Sequence, residues 1–325
     1  MTSSGQVSVA LASFNGERYI AEQLRSILDQ TRPPDEIIVS DGGSQDETVR
    51  IAREVLGGAG SGIRIEIVAD GTRLGVTENF ERAIVATRGE FIALSDQDDR
   101  WHRDRLARGL VQLERPDVLL AGGNAVLVAA DASALPLDLF TALGIGSSEV
   151  NILGGPNAFA LLLKRNLVTG ATVMFRRELL DAARPFPAEW VHDEWLTILA
   201  AALGRVGMDA DPLIDYRQHG ANEIGVKAPT LRYRIRRMLE PRGDRYRALA
   251  RRSQLLAERV SNLPVPVRYR ELAARKAAFE SVRAGYSVSR LSRIRPVLAG
   301  LRAGSYRELS SQGRLDVARD LLQPE

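Results

Sequence analysis

Residues 91–101, with the sequence FIALSDQDDRW, join an apolar run to a group of carboxylates. The first four residues predict a buried β-strand, because short apolar runs that end in a polar cluster are typical of strands. Asp96, Asp98 and Asp99 follow at its carboxyl end, where open α/β sheets bind their ligands. Asp96 and Asp98 are spaced to share a divalent cation. The alternative interpretation is an acidic turn that caps the next helix.

Strand-like and helix-like segments alternate around this stretch. Strands are predicted at residues 7–14, 36–40, 63–69 and 91–94, and within 117–128. Helices are predicted at residues 18–29, 75–88 and 103–114, with another ending at residue 55, because apolar residues recur there at helical intervals. This alternation favours a mostly parallel, twisted α/β sheet with helices on both faces.

The pattern is less regular farther along the chain. Residues 131–155, with one proline and several small polar residues, predict a long loop of little regular structure. After this loop we expect a helix at 157–165, a strand at 169–175, a helix at 190–203 and a short strand at 212–216. Helices at 230–260, 267–285 and 305–322 are predicted for the end of the chain.

Charge is divided unevenly between the two ends of the chain. Residues 226–325 contain 23 Lys and Arg against 9 Asp and Glu, a net charge of +14, whereas residues 1–225 contain 21 basic and 32 acidic residues, a net charge of −11. A difference of this size indicates two segments with different roles. We therefore expect an α/β domain at 1–225 and a basic helical extension at 226–325.

Composition excludes several classes of protein. The chain has no cysteine, so disulfides and thiolate metal sites are excluded. No window approaches the roughly 20 apolar residues of a membrane span. Because the first residues have no basic segment and only a short apolar run, we do not expect them to act as a signal peptide. The expected location is the cytoplasm. No recognition motif supports a nucleic-acid partner.

Five blocks of sequence resemble the family 2 glycosyltransferases, which have the nucleotide-sugar-binding α/β fold called GT-A. They are VSVALASFNGERYIAEQLRSIL, EIIVSDGGSQDET, NFERAIVATRGEFIALSDQDDRW, the pair VTGATVMFRREL and HDEW, and YRQHGANEIG. The blocks follow the family's order over about residues 1–225. The SDQDDRW and YRQHGANEIG forms look most like the rhamnosyltransferase-like branch.

The resemblance implies a site for a nucleotide-diphosphate sugar and a cation, Mg²⁺ or Mn²⁺. Asp98 and His219 are the expected metal ligands, although the neighbouring Asp99 leaves the choice between two aspartates open. The expected donor-binding residues are Ser13, Asn15, Glu17, Asp41, Asn79, Asp96, Gln97 and Arg217. A divalent ion would neutralise the departing diphosphate, and the planar guanidinium of Arg217 could pair with phosphate oxygens.

Asp41 matches the aspartate with which the family recognises the nucleobase. The family often has a second acidic residue at the next position, and this chain has Gly42 there. The alternative for Asp41 is a residue of the turn that Gly42 and Gly43 form.

Asp193 matches the family's catalytic base, which takes the proton from the acceptor hydroxyl. Its neighbour Glu194 is a rival for this role, and a carboxylate that favours the start of a helix is the structural alternative. The expected acceptor side consists of Thr169, Gly170, Glu194 and Trp195. For Trp195, as for Trp101 and Trp190, packing in the core is an equally good explanation.

The expected function is inverting, metal-dependent transfer of a sugar to a hydroxyl of a glycan or lipid-linked acceptor, as in cell-surface polysaccharide assembly. The expected donor is dTDP-L-rhamnose. One alternative is a sugar-phosphate nucleotidyltransferase. Such an enzyme should have a glycine-rich basic loop near its N-terminus, and residues 11–18 of this chain do not form one. Another is a non-catalytic nucleotide-sugar-binding scaffold. For the basic extension, packing on the catalytic domain, a homodimer contact and peripheral contact with the inner face of the plasma membrane all remain open.

Overall fold

The structure is a computed structural model that describes residues 5–60, 62–219 and 243–324. The end of the YRQHGANEIG block, residues 220–225, and the first part of the helix predicted at 230–260 lie outside the described residues. The chain separates into two compact units. The first unit comprises residues 1–158 and 167–227, and the second comprises residues 159–166 and 228–325.

One twisted sheet of nine strands forms the centre of the first unit. The strands are β1 Val7–Ser13, β2 Glu36–Asp41, β3 Arg64–Val68, β4 Phe91–Ser95, β5 Arg100–Trp101, β6 Val118–Ala129, β7 Ala134–Asp138, β8 Met174–Arg176 and β9 Arg205–Gln218. Their order is β3-β2-β1-β4-β8-β6-β9-β5, with β7 paired to β6. Strands β1 to β4 are parallel, and β8 runs antiparallel to both of its neighbours. The predicted α/β sheet is confirmed, with this antiparallel strand inserted in it.

Helices of the first unit pack on the sheet through apolar faces. They are α1 Ile20–Leu28, α2 Thr48–Gly57, α3 Val76–Ala86, α4 Arg105–Leu113, α5 Leu139–Leu143, α6 Ser147–Leu153, α8 Leu179–Ala183 and α9 His192–Leu203, with a 3₁₀ turn at Gly170–Thr172. Helix α7, Ala158–Leu162, belongs to the second unit except for its first residue. Helix α1 buries Ile20, Leu24 and Ile27 at the predicted helical spacing. These side chains join Val9 of β1 and Ile37 of β2 in one apolar core.

Four expectations for the middle of the chain differ from the structure in extent or in kind. Residues 131–155 contain β7, α5 and α6, whose five to seven residues are too short to show a period. Residues 170–172 form the 3₁₀ turn, so the strand predicted at 169–175 starts only at Met174. The strand predicted at 212–216 extends over Arg205–Gln218, because a shift in its register against β6 accommodates Pro212. The helix predicted at 157–165 is only the five residues of α7.

Five further helices belong to the second unit, and the predicted helical extension is confirmed. They are α10 Arg245–Ser261, α11 Val267–Ala284, α12 Arg290–Arg302, α13 Ser305–Leu309 and α14 Arg314–Leu322. The single helix predicted at 305–322 is α13 and α14, which Gly313 separates by adopting a positive φ of 53°. Helix α12 was not predicted, because proline is unfavourable inside a helix and Pro296 lies within this one. Among the described residues, no helix is both long and apolar enough to cross a bilayer.

Ionic and polar groups fill much of the interior of the second unit. Asp320 is fully buried and accepts hydrogen bonds from Arg283 Nε at 2.8 Å, Arg283 Nη2 at 3.1 Å and the Tyr306 hydroxyl at 2.7 Å. Glu280 accepts from Lys276 Nζ at 2.6 Å and from Arg283 Nη1 at 3.0 Å. Burial together with the Asp320 carboxylate raises the pKa of Tyr306. Lys276 and Arg283 therefore contribute to the unit's count of basic residues but are paired with carboxylates in its interior.

Candidate active site

The loops that follow β1, β2 and β4 meet at one edge of the sheet, as expected for the carboxyl ends of parallel strands. Ser13, the last residue of β1, lies opposite Asp41, the last residue of β2. The Ser13 hydroxyl donates to Asp41 Oδ1 at 3.0 Å. Two of the predicted donor-binding residues are therefore in direct contact.

The Asp41 carboxylate is buried and accepts four hydrogen bonds. Oδ1 accepts from the hydroxyls of Ser13, at 3.0 Å, and Ser44, at 2.5 Å. Oδ2 accepts from the backbone N–H groups of Gly43, at 3.1 Å, and Ser44, at 2.8 Å. These bonds hold the turn that the alternative interpretation expected, and a nucleobase N–H would have to replace one of them.

Asn79 of α3 links the same two strands. Its Oδ1 accepts from the Ser40 hydroxyl at 2.6 Å, and its Nδ2 donates to the backbone oxygen of Ser13 at 3.0 Å. A side chain at position 42 would place its Cβ 3.1 Å from Asn79 Nδ2. Gly42, where the resembling family often has an acidic residue, thus leaves room for this amide.

The loop after β1 is tied to its neighbours by the predicted residues Asn15, Glu17 and Gln97. Asn15 adopts a positive φ of 47° and accepts from the N–H of Gln45 at 2.9 Å, while Glu17 accepts from the N–H of Glu47 at 3.1 Å. The Gln97 amide pairs with both backbone groups of Phe14, each at 2.9 Å. Asn15, Glu17 and Gln97 therefore connect the loop after β1 to the loops after β2 and β4.

Asp98 and His219 come together, as the resemblance implied. His219 Nε2 lies 2.8 Å from Asp98 Oδ2, and its ring stacks on Tyr19 with centroids 5.1 Å apart. Asp99 is instead buried, with Oδ1 accepting from the N–H of Arg217 at 3.1 Å. Burial and the adjacent Asp98 and Asp96 carboxylates raise the pKa of Asp99 well above its ordinary value. Of the two neighbouring aspartates, Asp98 is the one placed to share a ligand with His219.

Arg217 occupies a different place from the one expected for a phosphate-binding residue. Its side chain is only 3% exposed, and it donates to the Asp98 backbone oxygen at 2.8 Å and to Glu22 Oε2 at 2.8 Å. The Arg217 guanidinium thus supports the acidic loop from inside the protein. The planar guanidinium of Arg217 could bind phosphate equally well, but here it binds acceptors inside the protein. The sequence pattern does not distinguish these two uses of an arginine.

The charges of both the acidic loop and Asp193 act on Tyr216. Burial raises the pKa of this tyrosine, and the carboxylates of Asp96, Asp99, Asp98 and Asp193 raise it further. Asp193, from the HDEW block, therefore lies in the same electrostatic environment as the carboxylates that follow β4, although about a hundred residues separate them in sequence.

Backbone N–H groups hold the Asp193 carboxylate at the start of α9. Oδ2 accepts from Gly170 at 2.8 Å, and Oδ1 accepts from Glu194 at 2.7 Å. Thr169 precedes the 3₁₀ turn and accepts from Thr172 at 2.9 Å, which fixes that turn. The predicted acceptor residues Thr169, Gly170 and Glu194 therefore lie around the predicted base.

Trp195 is a core residue, which corrects its assignment to the acceptor side. It is fully buried, its indole N–H donates to the backbone oxygen of Ala183 at 2.8 Å, and its ring lies 5.4 Å from that of Trp190. Trp101 and Trp190 are buried as well. All three tryptophans therefore pack in the core, which was the alternative explanation for them.

Two buried basic residues beside the site were not assigned a role from sequence. Arg105 donates to the backbone oxygens of Leu94 and Ala171, both at 2.8 Å, and thus joins the end of β4 to the 3₁₀ turn. Burial lowers the pKa of Arg105 to about 9, and the nearby carboxylates of Asp99 and Asp96 offset part of this effect. His192 stacks on Phe80 with centroids 3.8 Å apart, and burial lowers its pKa to about 3. A charged residue inside the apolar face of α4 was the only sequence signal for Arg105.

The donor set suits a cation that takes part of its coordination from the substrate. Among the described residues, no group of three or more His, Cys, Asp or Glu side chains is arranged to hold a metal. Asp98 and His219 nevertheless present a carboxylate oxygen and an imidazole nitrogen 2.8 Å apart. Because Mg²⁺ is commonly held by one or two carboxylates plus substrate phosphates, this pair fits such an ion.

Comparison with known proteins identifies the family. Residues 8–183 match the family described as Glycosyl transferase family 2, which is more than half of the chain. The chain belongs to glycosyl transferase family 2. The uncharacterised glycosyltransferase alr2836 of Nostoc sp. is 28% identical over 67% of this chain, and the match spans 66% of that protein's length. The dTDP-rhamnosyl transferase RfbG of Shigella flexneri is 26% identical over 66% of this chain and 73% of its own.

Solved structures with the same fold support the GT-A architecture. TarS of S. aureus, in complex with UDP-GlcNAc, superimposes with a TM-score of 0.58 and 17% identity over 97% of this chain and 89% of its own. The mannosyltransferase PcManGT of Pyrobaculum calidifontis, in complex with GDP-Man and Mn²⁺, gives 0.54 and 20% identity over 97% and 84%. At these identities the likeness concerns the fold.

Proposed function

We propose that this protein is an inverting glycosyltransferase that moves a sugar from a nucleoside diphosphate to an acceptor hydroxyl. The observation that carries the proposal is the Asp193 carboxylate, fixed at 2.8 Å by the N–H of Gly170 in the 3₁₀ turn that Arg105 joins to the end of β4, just before the Asp96–Asp99 loop. A base on one side and a cation-binding loop on the other are the two parts that direct displacement of a diphosphate requires.

In the proposed mechanism Asp193 accepts the proton of the acceptor hydroxyl while that oxygen attacks the anomeric carbon. The bond between the anomeric carbon and the diphosphate oxygen breaks, and the nucleoside diphosphate leaves from the opposite face, so the configuration inverts. The two backbone N–H groups that bind Asp193 keep its oxygens in place during the transfer. General-base assistance of this kind contributes roughly 10²–10⁴ in rate.

Asp98 and His219 would hold Mg²⁺ or Mn²⁺, with Asp96 beside them on the donor side. Such an ion supplies Lewis-acid stabilisation of the departing diphosphate. Arg217 contributes by fixing the backbone of Asp98, to whose oxygen it donates at 2.8 Å. The loops built by Ser13, Asp41 and Asn79 would form the nucleotide side of the pocket.

The donor that we propose is dTDP-L-rhamnose. Support comes from the SDQDDRW form of the acidic block and from the similarity to the Shigella dTDP-rhamnosyl transferase. The proposed acceptor is a hydroxyl of a glycan or lipid-linked saccharide in surface polysaccharide assembly, a role that agrees with the name of the 27% identical amylovoran biosynthesis glycosyltransferase of Erwinia amylovora. The reaction would take place on the cytoplasmic side of the membrane, where nucleotide sugars are made.

Thermal unfolding with dTDP, UDP and GDP, each with Mn²⁺ or with EDTA, tests the donor site. A ligand that binds only the folded state raises the unfolding temperature by mass action. We expect the largest rise with dTDP and Mn²⁺ together. A rise that EDTA leaves unchanged would contradict the metal assignment, and no rise with any nucleotide would indicate a scaffold without this site.

The variant Asp193→Asn tests the base. Asparagine keeps the size of the side chain but accepts no proton, so we expect transfer to fall by about 10²-fold or more while stabilisation by dTDP and Mn²⁺ is retained. Glu194→Gln is the matched control, because it removes the rival carboxylate at the next position. Transfer that is lost in Glu194→Gln and retained in Asp193→Asn would assign the role to Glu194.

A further inference from the structure

Helix α12 of the second unit carries a row of aliphatic side chains that face outward. Leu291, Ile294, Leu298 and Leu301 are 80%, 41%, 42% and 46% exposed, respectively. Isolated exposed leucines are common on protein surfaces, but four on one short helix form a continuous feature. We call these four residues, with Arg290, Arg295 and Arg302, the outer face of α12.

The seven residues are ordered around the helix. At about 100° per residue, the four aliphatic side chains fall within an arc of about 80° on a helical projection. Arg295 and Arg302 follow on one side of this arc, and Arg290 lies on the other. An apolar stripe with basic residues along both margins is a feature of helices that lie in a membrane interface, although the opposite face of α12 is packed on the core and not exposed to water.

The charge around this stripe is of one sign. Residues 281–307 contain six arginines and no Asp, Glu or Lys. Within the part of the chain that the structure describes, Arg290, Arg295 and Arg302 make no ion pair, whereas Arg283 and Arg293 are buried. The outer arginines are therefore available to an external anion.

The inner face of α12 anchors the helix without using the outer face. Val297 is fully buried in the core with Tyr306 and Phe279. The guanidinium of Arg293 donates to the backbone oxygens of Gln323 at 2.7 Å and Val288 at 3.0 Å. Because these contacts hold the helix, exchange of the outer side chains should leave the fold intact.

We propose that the outer face of α12 binds the surface of a bilayer that contains anionic lipids. The four aliphatic side chains enter the boundary between headgroups and acyl chains, and the three arginines contact lipid phosphates. A second copy of this chain fits this face less well than a membrane does. In a symmetric dimer the arginines of one copy would face those of the other, and residues 281–307 contain no carboxylate to neutralise them. This inference does not depend on the proposed transfer reaction.

Sedimentation of the full chain with vesicles tests the proposal. The probes are vesicles of phosphatidylcholine alone and of phosphatidylcholine mixed with phosphatidylglycerol. We expect binding to the anionic vesicles only, and weaker binding at high salt because added ions screen the arginines. Leu291→Gln with Leu298→Gln should weaken this binding at least about tenfold, and Arg295→Gln with Arg302→Gln about fivefold for each charge.

The control variant is Val85→Gln with Val111→Gln, which removes two exposed apolar side chains, 43% and 58% exposed, from the first unit. It should bind vesicles like the wild type, and all variants should keep the wild-type unfolding temperature. Equal binding to neutral and anionic vesicles, no binding to either, or equal losses in the control and the leucine variant would overturn the proposal. A change in molar mass from dimer to monomer in the leucine variant, without vesicle binding by the wild type, would show that the face joins two copies.

Discussion

The position of the proposed base depends on a residue with no side chain. Gly170 donates its backbone N–H to Asp193, and the two residues are in close contact. A Cβ at position 170 would lie 3.1 Å from the Cβ of Asp193, 3.1 Å from Nε2 of His192 and 3.2 Å from Oδ2 of Asp193. Neither neighbour can move easily, because His192 is buried against Phe80 and Asp193 is held at the start of α9.

We therefore predict that Gly170→Ala reduces kcat about tenfold while the KM for the nucleotide sugar stays unchanged, since a small displacement of a reacting group is costly. Steady-state kinetics with the donor varied at saturating acceptor measure both constants. Gly57→Ala is the control, because a Cβ there meets no atom within 4 Å. A rise in donor KM as large as the fall in kcat would mean that Gly170 serves the donor side.

At the scale of elements, a histidine–carboxylate pair fastens the short edge strand β5 to β9. His102 Nε2 lies 2.9 Å from Asp215 Oδ1, and its Nδ1 lies 3.2 Å from the backbone oxygen of Pro212. The hydrogen bond with Asp215 raises the pKa of His102, and the same bond lowers the pKa of Asp215. Arg100 and Arg217, which act on Asp215, and Asp104, which acts on His102, are the other charged groups near this pair.

The sign of the pH dependence follows from these shifts. The raised pKa of His102 gives stability that is complete below its unfolded value of 6.5 and is lost as pH rises through the folded value. The lowered pKa of Asp215 gives stability that is lost only in acid. We predict that the wild-type protein unfolds at a higher temperature than His102→Gln at about pH 6. At about pH 9, where His102 has lost its proton, the difference between the two unfolding temperatures should be smaller.

Unfolding temperatures of both proteins across this range measure the effect. Asp104→Asn is the control, because it changes a neighbouring carboxylate that makes no hydrogen bond to His102. A difference between wild type and His102→Gln that stays constant with pH would show that the ring contributes by packing alone.

Elements that depend on nearby residues were predictable from sequence, and those set by distant partners were not. Strand β4 and the acidic loop follow from one apolar run and the carboxylates after it. The local pattern predicts a strand at 169–175, whereas β8 comprises only Met174–Arg176, where β4 and β6 supply partners on both sides. The burial of Arg217 likewise depends on Glu22, far away in sequence. Pairing of this kind leaves no local pattern.

At the scale of the whole molecule, the charge difference between the two parts of the chain has two origins that composition cannot separate. Arg283, Arg293 and Lys276 are buried in the second unit with carboxylate or carbonyl partners, whereas the arginines of the outer face of α12 are exposed. The surface of the second unit is therefore less basic than the sequence count indicates.

The buried pair of Arg283 and Asp320 yields a stability prediction for this unit. Asp320→Ala leaves the guanidinium buried without its two-bond partner, and removal of one member of such a pair costs about 3–5 kcal/mol. Denaturant unfolding followed by circular dichroism measures the loss. The control is Asp244→Ala, which breaks the exposed pair with Arg247 and should cost about 1 kcal/mol or less. Equal costs for the two variants would contradict a structural role for the buried network.

The bond between Gly170 and Asp193 has a consequence for how acceptor preference can diverge during evolution. The proposed base accepts one main-chain hydrogen bond from the turn and one from its own helix. Because main-chain N–H groups are present whatever the side chain, exchanges in residues 131–168, which precede the turn, can alter which hydroxyl is presented while these two bonds to the proposed base are kept. Chimeras that replace this segment and retain Thr169 and Gly170 would thus inherit a working base together with a new acceptor specificity.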